Sequence, residues 1–222
     1  MDQIRNSKDA DLCERILAIM SAVYQPLTLD EMASFVDIPN SVSRDGDTLS
    51  EIIGLCGSFL TLQERTIFVI HQSVKDFLLK EASQELFPSG IKSIHHVIFS
   101  RSLRVMSKTL QRDIYSLCAP GYPIEQVNQP DADLLAASRY SCIYWIDHLC
   151  DYISNSCTNP IVELQDGGIV NIFLRKKYLY WLEALSLCKS VSDGVVSMAK
   201  LEVLLQVTLR PVTLRIIYTD IS

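Results

Sequence analysis

The side chains most able to do chemistry at neutral pH are four histidines and seven cysteines, in a chain of 222 residues. The cysteines are Cys13, Cys56, Cys118, Cys142, Cys150, Cys157 and Cys188, and no Cys-x-x-Cys pair occurs among them. Zinc needs ligands that converge, and these do not. His148 with Cys150 and Cys157 lacks the spacing, and Cys142 and Cys150 are merely two helical turns apart. His95 and His96 are adjacent, so on a helix they point in different directions. Gly54-Leu55-Cys56-Gly57 superficially suggests a nucleophile turn, but an elbow runs strand, nucleophile, helix, and here the order is reversed. There is no Gly-x-Ser-x-Gly. Phosphate chemistry is equally unsupported: no glycine is followed directly by lysine, so no P-loop can be formed. The chain is expected to be no enzyme, with no metal site and no cofactor of its own.

Composition narrows the partners. Apolar residues make up 48% and charged residues 21%, ordinary values for a soluble globular protein. The net charge of −6 gives no electrostatic reason to expect nucleic acid or an anionic membrane. The odd cysteine set, scattered through apolar periodic runs, reads as reduced core thiols in a cytoplasmic protein. Residues 1–11 are polar and mixed in charge, without the apolar core of a signal peptide, and no run approaches 18 apolar residues.

The elements that position these residues follow from periodicity. Leu12, Ile16, Met20 and Val23 form one helix face, ended by Pro26. Thr28 and Glu31 have capping-box spacing and start a second helix with Met32, Phe35 and Val36 inward. Pro39 closes it, residues 40–47 form a polar connection, and a third helix spans about 48–56 with Gly57 as its C-cap. The period then changes. Residues 59–62 and 66–70 are rich in aromatic and β-branched side chains and flank Gln63-Glu64-Arg65, a hairpin with a three-residue loop. A helix restarts near Ser73. Three helices, a hairpin and a helix are the element order of a winged helix.

Beyond Ser89 the long elements are helical: 91–110, 134–153, 169–188 and 191–207, separated by turn-rich breaks at 118–123 and 128–131 and a polar loop at 154–168. No period of 20 to 50 residues repeats. Trp145, Tyr144, Trp181, Tyr178 and Tyr180 should pack between these helices, and any left exposed would mark a docking face. Arg175-Lys176-Lys177 reads as a solvated helix face.

The stretch Ile53-Gly54-Leu55-Cys56-Gly57-Ser58-Phe59-Leu60-Thr61-Leu62, followed by Phe68-Val69-Ile70-His71-Gln72-Ser73-Val74-Lys75-Asp76-Phe77-Leu78, resembles the region after the nucleotide-binding module of fungal NACHT and WD-repeat signalling ATPases of the vegetative-incompatibility type. Arg112–Leu117 and Lys177–Ser186 look like the same family, and the resemblance covers roughly residues 9–206. It implies a mainly α fold with a winged-helix domain at 9–86 and an antiparallel helical arm at 91–206; the tail at 207–222 departs from the family, and its strand-like composition without a partner strand leads to an expectation of disorder.

It also implies a role. In such proteins a winged helix packs on the nucleotide-binding module, and a histidine of the His-x-Ser-x-x-Asp-Phe-Leu motif contacts the phosphates of ADP in the closed state. His71 occupies that place, with the backbone N–H groups of Ser73 and Val74 expected to add anion affinity. The bland reading has His71 bonding a local backbone group at the strand–helix junction. The implied partners are a NACHT nucleotide-binding module and a WD-repeat domain, with ADP or ATP held by the parent architecture and not by this chain. The lack of a P-loop and of WD repeats suggests a segment separated from its core, or a truncated gene product. The rival from another class is a DNA-binding winged helix, but its recognition region, 42–58, has Arg44 as its one basic residue against Asp45, Asp47 and Glu51.

Overall fold

In the computed structural model, which describes residues 9–36, 46–118, 121–130, 132–154 and 162–208, the first apolar period becomes α1 (Ala10–Ala22). Leu12, Ile16 and Met20 are buried on its inner face. The Thr28 capping box forms as its spacing requires: Glu31 N–H donates to the Thr28 hydroxyl, and the Glu31 carboxylate accepts from the Thr28 N–H at 2.8 Å. It opens α2 (Leu29–Phe35). α3 (Gly46–Leu55) starts slightly before the expected Thr48, while the polar connection and the Pro39 stop lie mostly outside the described residues.

The sheet is larger than the hairpin read from sequence. β2 (Leu60–Gln63) and β3 (Thr66–Val69) pair antiparallel, and β1 (Leu27–Thr28) adds to the other edge of β3, giving the order β1-β3-β2. Gln63 pairs with Thr66, so the loop has two residues rather than three. Glu64 and Arg65 both take positive φ, 45° and 64°, the conformation that matches the right-handed twist of a tight hairpin. Two short helices follow, α4 (Gln72–Lys80) and α5 (Ser83–Leu86).

The second half is built from α6 (Ile91–Thr109), α7 (Arg139–Ile153), α8 (Ile169–Leu187) and α9 (Val191–Thr208). α7 begins five residues later than its apolar content suggests. Asp133 is the reason: its carboxylate takes the Leu135 N–H at 2.9 Å and its carbonyl takes the Ala136 N–H, which holds the lead-in as a turn. α9 extends through Val207 and Thr208, the first two residues of the tail; the rest of the tail lies outside the described residues, as does Cys157.

The buried apolar side chains separate into two clusters. One is centred on α1, α2, α3 and the sheet, and takes Ile98 from α6 and Tyr140 from α7. The other gathers Phe99, Leu103 and Met106 of α6 around Trp145, Phe173 and Trp181. Trp145 lies edge-on to Phe173 and Trp181, with ring centroids 5.5 and 5.9 Å away, and Trp181 Nε1–H donates to the Cys142 carbonyl at 2.8 Å. Burying each such ring is worth about 1.5–3 kcal/mol relative to exposure. α6 therefore contributes its first half to one core and its second half to the other.

Candidate functional site

β3 delivers the chain to His71, which stays extended (φ −151°, ψ 149°) and becomes the N-cap of α4. Its Nδ1 accepts the Ser73 backbone N–H at 3.2 Å and lies 2.9 Å from the Ser73 hydroxyl. An Nδ1 lone pair used in this way fixes the neutral tautomer with hydrogen on Nε2, and the side chain is exposed. The local backbone bond of the bland reading is thus present, and it leaves one donor on the outer edge of the ring.

The expected contribution of the Ser73 and Val74 N–H groups is corrected by the same geometry. Ser73 N–H is taken by His71 Nδ1, and Val74 N–H by the His71 carbonyl at 2.9 Å. A capped first turn has consumed its donors and has none left for a phosphate at those positions. The neighbouring surface is mixed, with Gln72, Ser73 and Asp76 exposed alongside two apolar residues. Ile70 and Phe77 are 49% and 40% exposed, and Phe77 stacks on Phe59 at 6.2 Å. The sequence of α3 contains no lysine or arginine, a poor composition for contacting DNA phosphates.

A second polar site went unread in the sequence, and it sits where the two halves meet. Glu31, buried, extends beyond its own capping box: its second carboxylate oxygen accepts the Tyr140 N–H at 2.9 Å, satisfying a free donor in the first turn of α7. Burial pushes the Glu31 carboxyl up, opposed by the Thr28 and Tyr140 N–H bonds and by Arg139. Tyr140 OH accepts the Tyr24 N–H at 3.2 Å and lies 2.7 Å from His148 Nε2. His148 Nδ1 in turn faces His95 Nδ1 at 2.9 Å. Tyr24 OH donates to Asp151 Oδ2 at 2.6 Å, and that carboxylate lies 3.7 Å from His95 Nδ1. Burial lowers both imidazoles, His148 to about 3. His95 and His148 are far apart in sequence, and no local pattern signals their pairing. The adjacent His96 does diverge from His95, and meets Glu163 at 2.9 Å.

The remaining motifs are packing devices. The Glu183 carboxylate accepts from the N–H groups of Asp113 and Ile114 at 3.1 and 2.9 Å, and Lys177 donates to the Leu110 carbonyl. The stretches 112–117 and 177–186 therefore close on one another. Lys177 also sits over the Tyr180 ring at 5.6 Å, so it leaves the solvated face assigned to it, whereas Arg175 and Lys176 remain exposed. Trp145 and Trp181 are fully buried, while Tyr178 is partly exposed. Among the described residues no group of three or more His, Cys, Asp or Glu is placed to hold a metal ion, and no helix is long and apolar enough to cross a membrane.

Residues 1–88 match the winged helix domain of GPI inositol-deacylase. Over 222 aligned residues, 95% of the chain, the sequence is 50% identical to vegetative incompatibility protein HET-E-1 of Podospora anserina. The chain spans 16% of that protein's length. No solved structure matches it.

Proposed function

We propose, from the similarity to a vegetative incompatibility protein and to a winged helix domain, that the chain is the winged-helix and helical-arm region of a fungal NACHT-type signalling protein, a non-catalytic regulatory segment that relays nucleotide state. Its partners in this reading are a NACHT nucleotide-binding module, docked on the wing, and a WD-repeat domain reached through the helical arm. The observation that carries the proposal is the state of His71. The ring is exposed, its Nδ1 is occupied by Ser73, and its Nε2–H is left as an outward donor at the junction of β3 and α4. An exposed N–H donor at a helix N-terminus suits a contact with an anion held by a docked partner. The phosphate of ADP on the partner module supplies the acceptor, and the closed arrangement persists while that bond is made. The proposed setting is the cytoplasm.

The test adds the full chain to a separately purified nucleotide-binding module of a vegetative-incompatibility relative that carries labelled ADP, and follows ADP release. A hydrogen bond to a charged group is worth about 1.5–3 kcal/mol, so release should slow roughly tenfold or more. The variant His71→Asp keeps a capping acceptor for Ser73 while removing the donor and adding a negative charge. It should fold normally and fail to retard release. Unchanged release with the natural chain, or equal retardation by His71→Asp, would overturn the proposal.

A further inference from the structure

Tyr24, His95, Tyr140, His148 and Asp151 come from three separate places, the end of α1, α6 and α7, and their polar atoms meet at the boundary between the two cores. The hydrogen-bond polarity can be traced. Tyr24 N–H is obligately a donor, so the Tyr140 oxygen accepts from it. The Tyr140 hydroxyl hydrogen then goes to the acceptor at 2.7 Å, His148 Nε2. That makes His148 the Nδ1–H tautomer, and its Nδ1–H donates to an unprotonated His95 Nδ1 at 2.9 Å. With both rings neutral, each hydrogen bond from the Tyr24 N–H through to His95 Nδ1 has one donor and one acceptor, and Asp151 Oδ2 lies 3.7 Å from that nitrogen, beyond hydrogen-bond reach.

We propose that the His95–His148 pair is an acid-sensitive latch, holding the winged-helix half against the helical half while both imidazoles are neutral and releasing it when they are protonated. A proton added to His148 sits on its Nε2; one added to His95 sits on its Nδ1 and opposes the His148 Nδ1–H, unless His148 shifts its own hydrogen to Nε2. With hydrogen on His148 Nε2, Tyr140 is asked to accept twice, and its own buried O–H loses its acceptor. A second proton sets two N–H groups face to face across 2.9 Å. A buried polar atom without a partner is costly, and two facing cations more so.

The charged and titratable neighbours have been placed on each packed element. α7 supplies Asp151, Asp147 and the Tyr144 hydroxyl, α2 supplies Glu31 through the Tyr140 N–H, and α4 supplies Lys75, whose ammonium donates to the Val23 carbonyl at 2.8 Å. Asp151 favours a proton on His95, whereas Lys75 and burial oppose it. Asp151 is only half-buried and already accepts from the Tyr24 hydroxyl, so it does not offset the loss of the relay. The latch does not use His71, so it stands apart from the reading of that residue.

The sign of the pH dependence follows from the geometry. Unfolded imidazoles bind protons near pH 6.5, and the folded pair does not. The stabilisation is complete above that pH and is lost as the pH falls from about 6.5 toward about 3, the region to which His148 is pushed. Within that window His148 costs about tenfold in the closed-to-open equilibrium per pH unit, and the lowering of His95 acts in the same direction.

Amide hydrogen exchange on the full chain between pH 7.5 and 5.5, corrected for the intrinsic rate, reads this directly. Protection at the Tyr24 and Tyr140 amides should fall about tenfold or more per pH unit below 6.5, ahead of the Ile67 amide in the sheet. The imidazole ¹⁵N resonances should stay those of neutral rings in the closed form at pH 6. His95→Asn, which keeps a short hydrogen-bonding group near the Nδ1 position but does not titrate, should flatten the slope; if it fails to fold, the ¹⁵N measurement on the natural chain still decides. Either ring titrating near 6.5 without loss of protection, or Tyr24, Tyr140 and Ile67 losing protection together, would overturn the latch.

Discussion

His71 answers two demands with opposite edges of one ring. Nδ1 closes the first turn of α4, and Nε2–H is left for whatever docks there. The demands separate by substitution. His71→Ala removes the cap and should cost about 1 kcal/mol in urea unfolding of the chain, whereas His71→Asp should cost almost nothing. A larger loss for Asp than for Ala would show that the cap geometry described above is wrong. This residue could be found in the sequence because its motif is contiguous with the strand and helix that hold it. His95 and His148 could not, since 53 positions separate them and only tertiary packing brings their nitrogens together.

Elements with strong local chemistry were legible, and those made by pairing were not. The Thr28–Glu31 capping box, the α1 face and the Phe-rich hairpin all carry their reason within a few residues. β1 is two residues long, and Leu27 counts as strand because Ile67 lies opposite it. The start of α7 was misplaced because Leu134 and Leu135 suit a helix, and the hydrogen bonds of Asp133 override that preference. The α8–α9 contact makes a prediction at this scale. A Cβ built on Gly194 collides with the Leu185 side chain, which is itself fully buried. Gly194→Ala should therefore destabilise the chain by about 1–3 kcal/mol in chemical denaturation, although alanine is the better helix former. Stabilisation would mean that α8 and α9 can move apart without loss.

At the scale of the whole molecule, two cores share one helix. α6 places Ile98 in the first and Phe99 in the second, and Arg101 donates to the Phe35 carbonyl at 2.7 Å. Residues 1–88 expressed alone would lose Ile98, Tyr140 and the Arg101 bond. They should melt at lower temperature than the full chain and bind an apolar dye, and equal thermal stability would count against the shared-helix description. The seam also depends on length. Glu31 uses one carboxylate oxygen for the start of α2 and the other for the start of α7. Its side chain is thus a calliper, set to the distance between two helix ends that belong to different halves. Glu31→Asp shortens the reach by about 1.5 Å, one carbon–carbon bond. The shorter acid keeps the charge and can touch either end but not both, and its effect on exchange at the Tyr140 and Thr28 amides would reveal which half gives way. Spacing between the halves is therefore written into the number of methylenes at a single position.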